Sequence, residues 1–148
     1  MIGWEQYLNV IKNNCRNPNL PALGIIGETG VVWADQNSNM TIPEAKFLSK
    51  ALTDVTKNDD FFYVRALFGT GFTVGGEKFS VIKVGDRKEG TLYGMGKKGS
   101  KFEDGFIAIS RIKGAILFAI GKKGDAREDI SYGVEETAKY LRQNGFGI

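Results

Sequence analysis

Between Phe61 and Gly121 the chain alternates short apolar runs, rich in aromatic and β-branched residues, with turns of glycine and lysine. Strands are expected at 61–68, 72–75, 78–84, 90–95, 104–110 and 115–121, punctuated by Gly75-Gly76, Gly85-Asp86, Lys97–Ser100 and Lys113-Gly114. A parallel pair needs a crossover of about a dozen residues or more, usually a helix. The connections here are too short for that, so sequential strands must be antiparallel neighbours. The run excludes a parallel α/β sheet over half of the chain.

What flanks the run is helical. Trp4, Tyr7, Leu8 and Ile11 fall at i, i+3, i+4 and i+7 and predict a helix over 3–14, ended by Asn13, Asn14 and Asn17-Pro18. Residues 22–28 and 31–34 read as a hairpin about Thr29-Gly30. After the polar loop 35–40, Thr41 opens a helix: Thr41 and Glu44 have the spacing of a capping box, and Pro43 sits in the first turn. Phe47, Leu48, Ala51, Leu52 and Val55 form its buried stripe. A last helix is expected from Asp129 to Asn144, with Ile130, Val134, Ala138 and Leu141 inward and Gly145 as a left-handed C-cap. The expected class is α+β: a central antiparallel sheet of six to eight strands, with the N- and C-terminal helices on one face and a further helix on the other. Residues 1–148 read as one domain, without linker or repeat.

Composition narrows the chemistry. With no histidine and one cysteine, Ser-His-Asp, Cys-His and histidine–metal sites are excluded, as is an intrachain disulfide. No carboxylate pair suggests acid–base catalysis, since Glu135-Glu136 reads as helix surface and Asp59-Asp60 as loop. The expectation is a protein that is not an enzyme and uses no cofactor or metal. Net charge is +3, too small to imply a nucleic-acid partner. No run of 18 apolar residues is present. The charged N-terminus does not read as a signal peptide, and one free cysteine suits a reducing, cytoplasmic location. Cys15 reads as a half-buried, unreactive residue at a helix end.

Glycine contributes 20 residues, about twice the usual share, and proline only 3, which points to tight turns rather than disorder. The stretch Gly94–Gly99 fits G-x-G-x-x-G, but the residues after it are charged and then strand-like rather than helical, so it reads as a lysine-rich hairpin. Gly121-Lys122-Lys123-Gly124 lacks the spacing and the Lys-Ser/Thr of a P-loop and reads as a turn. Lys83, Arg87, Lys88, Lys97, Lys98, Lys101, Lys122 and Lys123 all fall in or beside turns: a solvated rim, or a surface for an acidic partner. The aromatics Trp4, Tyr7, Trp33, Tyr140 and Phe146 exceed what their elements need for a core. Half-exposed Tyr and Trp rings suit a groove for a proline-rich ligand.

Five landmarks, in order along nearly the whole chain, resemble the profilin family. They are Gly3-Trp4-Glu5-Gln6-Tyr7, Val32-Trp33-Ala34, the stretch Gly75–Lys83 (GGEKFSVIK), Gly121–Gly124 (GKKG), and Ala138–Arg142 (AKYLR). Within the family the chain is most similar to the divergent profilins of Asgard archaea. The resemblance implies a monomeric, cytoskeleton-associated protein with two binding surfaces. Proline-rich segments would lie on Trp4, Tyr7, Trp33, Tyr140 and Phe146, and monomeric actin on Lys78, Ser80, Val81, Lys83, Asp125, Glu128 and Glu136. Phosphoinositides would meet Lys88, Lys97, Lys98, Lys122 and Lys123.

Three departures stand out. Tyr140 replaces the family's common histidine, which would keep stacking and lose a hydrogen bond. The stretch Tyr63–Phe72 is longer than the family pattern and predicts an extra loop. Ala126-Arg127-Glu128 replaces an uncharged, glycine-rich run. The rival expectations are a small-molecule sensor of the PAS type, which would need a hollow apolar pocket, and a longin- or roadblock-like scaffold, which would dimerise.

Overall fold

Each strand of the central run finds the partner that its short connections dictate. In the computed structural model, which describes residues 3–57, 62–85 and 89–146, the strands β1 (Ala22–Gly27), β2 (Val32–Gln36), β3 (Phe72–Val74), β4 (Glu77–Val84), β5 (Thr91–Gly96), β6 (Phe106–Ile112) and β7 (Ala115–Ile120) form one antiparallel sheet. Its order is β2-β1-β7-β6-β5-β4-β3. β3 to β7 are a meander, and β1 returns to pair with β7, Ile25 opposite Leu117. β1 and β7 are buried along their whole length, as strands covered on both faces must be.

The period of two sorts side chains between two layers. Ile107, Ile109, Ile116, Phe118 and Ile120 join α2 (Ile42–Lys57) and α3 (Phe62–Thr70) in one core cluster. Ala108, Ala115, Leu117 and Ala119 join α1 (Gln6–Asn14) and α4 (Arg127–Leu141) in the other. The alanines let the terminal helices settle close to the sheet. The two helices meet side by side, and the amide of Asn14 donates to the Thr137 hydroxyl at 2.9 Å. They cross at Gly133, where a Cβ would lie 2.6 Å from the Cα of Cys15.

The predicted capping box is present. The Thr41 N–H donates to the Glu44 carboxylate at 2.8 Å, and the Glu44 N–H reaches the Thr41 hydroxyl at 3.4 Å. Glu44 also accepts from the Thr73 hydroxyl and from the N–H groups of Gly75 and Gly76, which pins the β3–β4 hairpin to α2. Leu48, Ala51 and Leu52 are buried as expected and Phe47 packs at the edge, while the side chain of Val55 lies outside the described residues. Gly145 is left-handed as expected, at φ 109°, but α4 runs Arg127–Leu141 rather than to Asn144, and the backbone is non-helical at Asn144 and Gly145.

Three expectations need correction. From Phe62 on, the strand expected at 61–68 and the extra loop expected at 63–72 are replaced by α3, with Leu67 fully buried against the α2 layer; Phe61 lies outside the described residues. The edge strand β3 is only three residues long, so an eight-residue strand there would have no ladder to join. Cys15 is fully rather than half buried. Burial, with Asp129 nearby, pushes its thiol up to about 12, so it stays protonated and unreactive.

Candidate functional site

Four of the five surplus aromatics converge where α1 meets the chain's tail. The Trp4 ring centroid lies 5.4 Å from Tyr7, 4.7 Å from Trp33 and 4.9 Å from Phe146. Trp33 and Phe146 are 6.1 Å apart, edge to face. All four are half-buried and packed against the α1–α4 core cluster. The main chain builds the seat: Gly27 leaves room for the Trp33 indole, whose nitrogen would stand 3.0 Å from an added Cβ. The Lys113 N–H holds the Phe146 carbonyl at 2.9 Å.

Tyr140 stands apart from this cluster. It is 53% exposed and shares with Tyr7 a groove of about 490 Å³ between α1 and α4. Gln6, Val10 and Asn14 line the α1 side, and Tyr132, Glu136 and Tyr140 the α4 side. Tyr132, at 57% exposure, and Val10 were not singled out by sequence. The signal for Tyr132 was its spacing of four to Glu136 and eight to Tyr140, one row on one helix face.

The seven residues expected to face actin divide into groups. Phe79 is buried in the α2–α3 layer, and Val81, on the same face of β4, packs against it while staying half-exposed. Lys78 and Ser80 are exposed. A β-bulge then intervenes: Val81 pairs with Gly94 and Lys83 with Tyr93, leaving Ile82 as the extra residue. The bulge returns Lys83 to the α1–α4 side, where its ammonium lies 5.6 Å from the centre of the Tyr93 ring. Ile82, Lys83, Tyr93, Phe106, Arg127, Glu128 and Ser131 line one hollow of about 330 Å³. Ser80 pairs with Met95, whose sulfur Arg127 reaches at 3.9 Å. Sequence reasoning left out Ile82, Tyr93 and Phe106; nothing in the residues marks a bulge there. Glu135 fixes Tyr93 by accepting its hydroxyl at 2.5 Å.

Asp125 and Glu136 lie elsewhere. The Asp125 carboxylate accepts from the Asn17 amide at 3.0 Å and the Lys122 N–H at 2.9 Å, tying the Gly121–Gly124 turn to the end of α1. Its own oxygen thus fills the turn that could otherwise cradle an anion. Glu136 lines the α1–α4 groove.

The lysines sit on two adjoining loops, 97–105 and 121–126, joined where the Gly121 N–H meets the Phe106 carbonyl at 2.8 Å. Lys97 donates to the Thr70 carbonyl, Lys98 and Lys122 are exposed, and Lys123 pairs loosely with Asp104 at 3.7 Å. Lys88 lies outside the described residues. Among the described residues no cluster of three or more metal-ligating side chains occurs, and no helix is long and apolar enough to cross a membrane.

Among solved structures, the chain is similar to mouse profilin IIa in complex with a double repeat from the FH1 domain of mDia1. That match has 24% identity and a TM-score of 0.74, and covers 98% of this chain and 100% of that one. Acanthamoeba castellanii profilin II matches at 23% identity and a TM-score of 0.73, over 97% of this chain and all of that one. LokiProfilin1, solved with rabbit actin, matches at 20% identity and a TM-score of 0.60, over 93% of this chain and 94% of that one. The sequence model of the profilin family matches residues 2–146. The aromatic cluster between the terminal helices, the meander and this match from end to end lead to one conclusion: the chain belongs to the profilin family.

Proposed function

We propose that this profilin binds monomeric actin through the β4–α4 side of the sheet and a proline-rich segment through the aromatic cluster. Covering one end of the monomer would block nucleation and addition at the opposite filament end. The observation that carries the reading is the hollow that the β4 bulge builds: Lys83 and Arg127 supply positive charge, Glu128 a carboxylate, and Ile82 an apolar contact beside them. Lys78 and Ser80 extend this face along the strand. The likeness of fold to a profilin solved with actin supports it. Val81 would act by shaping β4 from behind, and Asp125 by holding the loop that leads into α4.

The proline-rich reading rests on Trp4, Tyr7, Trp33 and Phe146, with Tyr140 at the rim. Flat, half-buried rings offer stacking area at low entropic cost, which suits a polyproline II helix. A profilin of like fold has been solved with an FH1 repeat. The exposed Lys98, Lys122 and Lys123, with Lys97 beside them, would meet anionic phosphoinositides; vesicles with and without these lipids test that arm.

The test of the main reading is actin assembly followed over time with rising amounts of the protein. A concentration-dependent slowing, relieved in Lys83→Glu, is expected. Assembly unaffected at a large excess of protein, with both a eukaryotic actin and the actin of its own source, would overturn it.

A further inference from the structure

The α1–α4 groove continues past the aromatic cluster, and its chemistry changes on the way. From Tyr140 it runs along α4 to Glu136 and then Tyr132, with Val10 and Asn14 opposite. Glu136 is the one charged side chain lining it among the described residues. It is half-buried and has no hydrogen bond or ion pair among them. Lys139, on the same helix, does not line the groove. On a chain of net charge +3, a carboxylate set between two exposed tyrosines is a local reversal of sign.

We infer that this groove selects proline-rich segments carrying an arginine, with Glu136 as the specificity-determining residue. The inference rests on the proline-rich reading above and deepens it. A guanidinium can stack on the Tyr132 or Tyr140 face while its fork of N–H groups meets the Glu136 carboxylate. A lysine ammonium offers the charge without the stacking plane. The spacing agrees. Successive residues of the Tyr132–Glu136–Tyr140 row are about 6 Å apart along the helix. A polyproline II chain advances about 3.1 Å per residue. An arginine two residues beyond a proline seated between Tyr7 and Tyr140 therefore comes level with Glu136.

The probes are decaproline and four decaprolines with one central residue replaced by Arg, Lys, Gln or Glu, titrated by calorimetry into the wild type, Glu136→Gln and Glu136→Lys. Melting curves check that each variant folds. The Arg peptide should bind the wild type about threefold to tenfold more tightly than the Gln peptide, with Lys between and Glu weakest. Glu136→Gln should bring the ratio of Arg-peptide to Gln-peptide affinity close to one, and Glu136→Lys should favour the Glu peptide over Arg. Equal binding of the Arg and Gln peptides to the wild type, or an Arg advantage that survives in Glu136→Gln, overturns the inference alone. If decaproline and all four variants fail to bind, the proline-rich reading falls and takes the inference with it.

Discussion

The aromatic cluster and the β4–α4 hollow are built in opposite ways. The first is made of rings that complete the core: Trp4, Tyr7, Trp33 and Phe146 touch one another and cover the α1–α4 layer. The second has a floor of two core rings, Tyr93 and Phe106, but its rim of Ile82, Lys83, Arg127 and Glu128 is exposed side chains that the core does not need, placed by a bulge and by the first turn of α4. A surface of the first kind is preorganised but tied to stability, because no ring can be removed without uncovering core. A surface of the second kind can change its charge while the fold stays as it was. The aromatic site should therefore mix binding with folding defects, and the hollow should separate them.

The largest effect expected is that of Trp4→Ala. It should abolish binding of decaproline and also destabilise the protein by about 1–3 kcal/mol, since a half-buried ring loses three aromatic neighbours. A melting curve beside the peptide titration reads both. An unchanged melting temperature would break the comparison. Next, Lys83→Glu should weaken actin binding about tenfold by reversing a charge at the edge of the interface, while the melting temperature stays within about a degree. Unchanged affinity would mean that actin sits elsewhere.

A smaller effect tests how the hollow's strand is held. Burial pushes the Glu44 carboxyl up, but hydrogen bonds from the Thr41 N–H, the Thr73 hydroxyl and the N–H groups of Gly76 and Gly75 outweigh it and hold the group below its ordinary value. A depressed carboxyl stabilises the fold above its unfolded value, and that contribution is lost as pH falls through the folded one. Glu44→Gln should cost about 1 kcal/mol at neutral pH, discounted because the site is partly solvated. The gap to the wild type should close below about pH 4. A gap independent of pH would show that packing, not charge, is what Glu44 supplies. Smallest of all, Lys123→Ala should leave the melting temperature unchanged, since its partner Asp104 is half exposed and the pair is open to water.

The terminal helices were legible because their stripes obey a single period, and the central strands because apolar runs between glycine turns have few other fates. Phe61–Phe68 was not legible. A run of eight residues that is apolar but for Arg65 fits a buried strand or a helix equally, and only the three-residue length of β3, a tertiary fact, decides for α3. The aromatic cluster was readable from its landmarks. The groove beyond it was not, because it exists only once Gly133 lets α1 settle against α4 at Cys15. Lys83 was named correctly as a surface lysine, but which face it serves depends on pairing with β5.

The bulge leaves one position outside both layers. Phe79, Val81 and Val84 answer to the α2–α3 core, and Lys83 answers to Tyr93, yet Ile82 pairs with nothing across the ladder and is 41% exposed. Substitution there meets little resistance from folding, so the identity of residue 82 is free to drift with whatever lies against the hollow. Among related chains, position 82 should be where a change of partner is first written into the sequence.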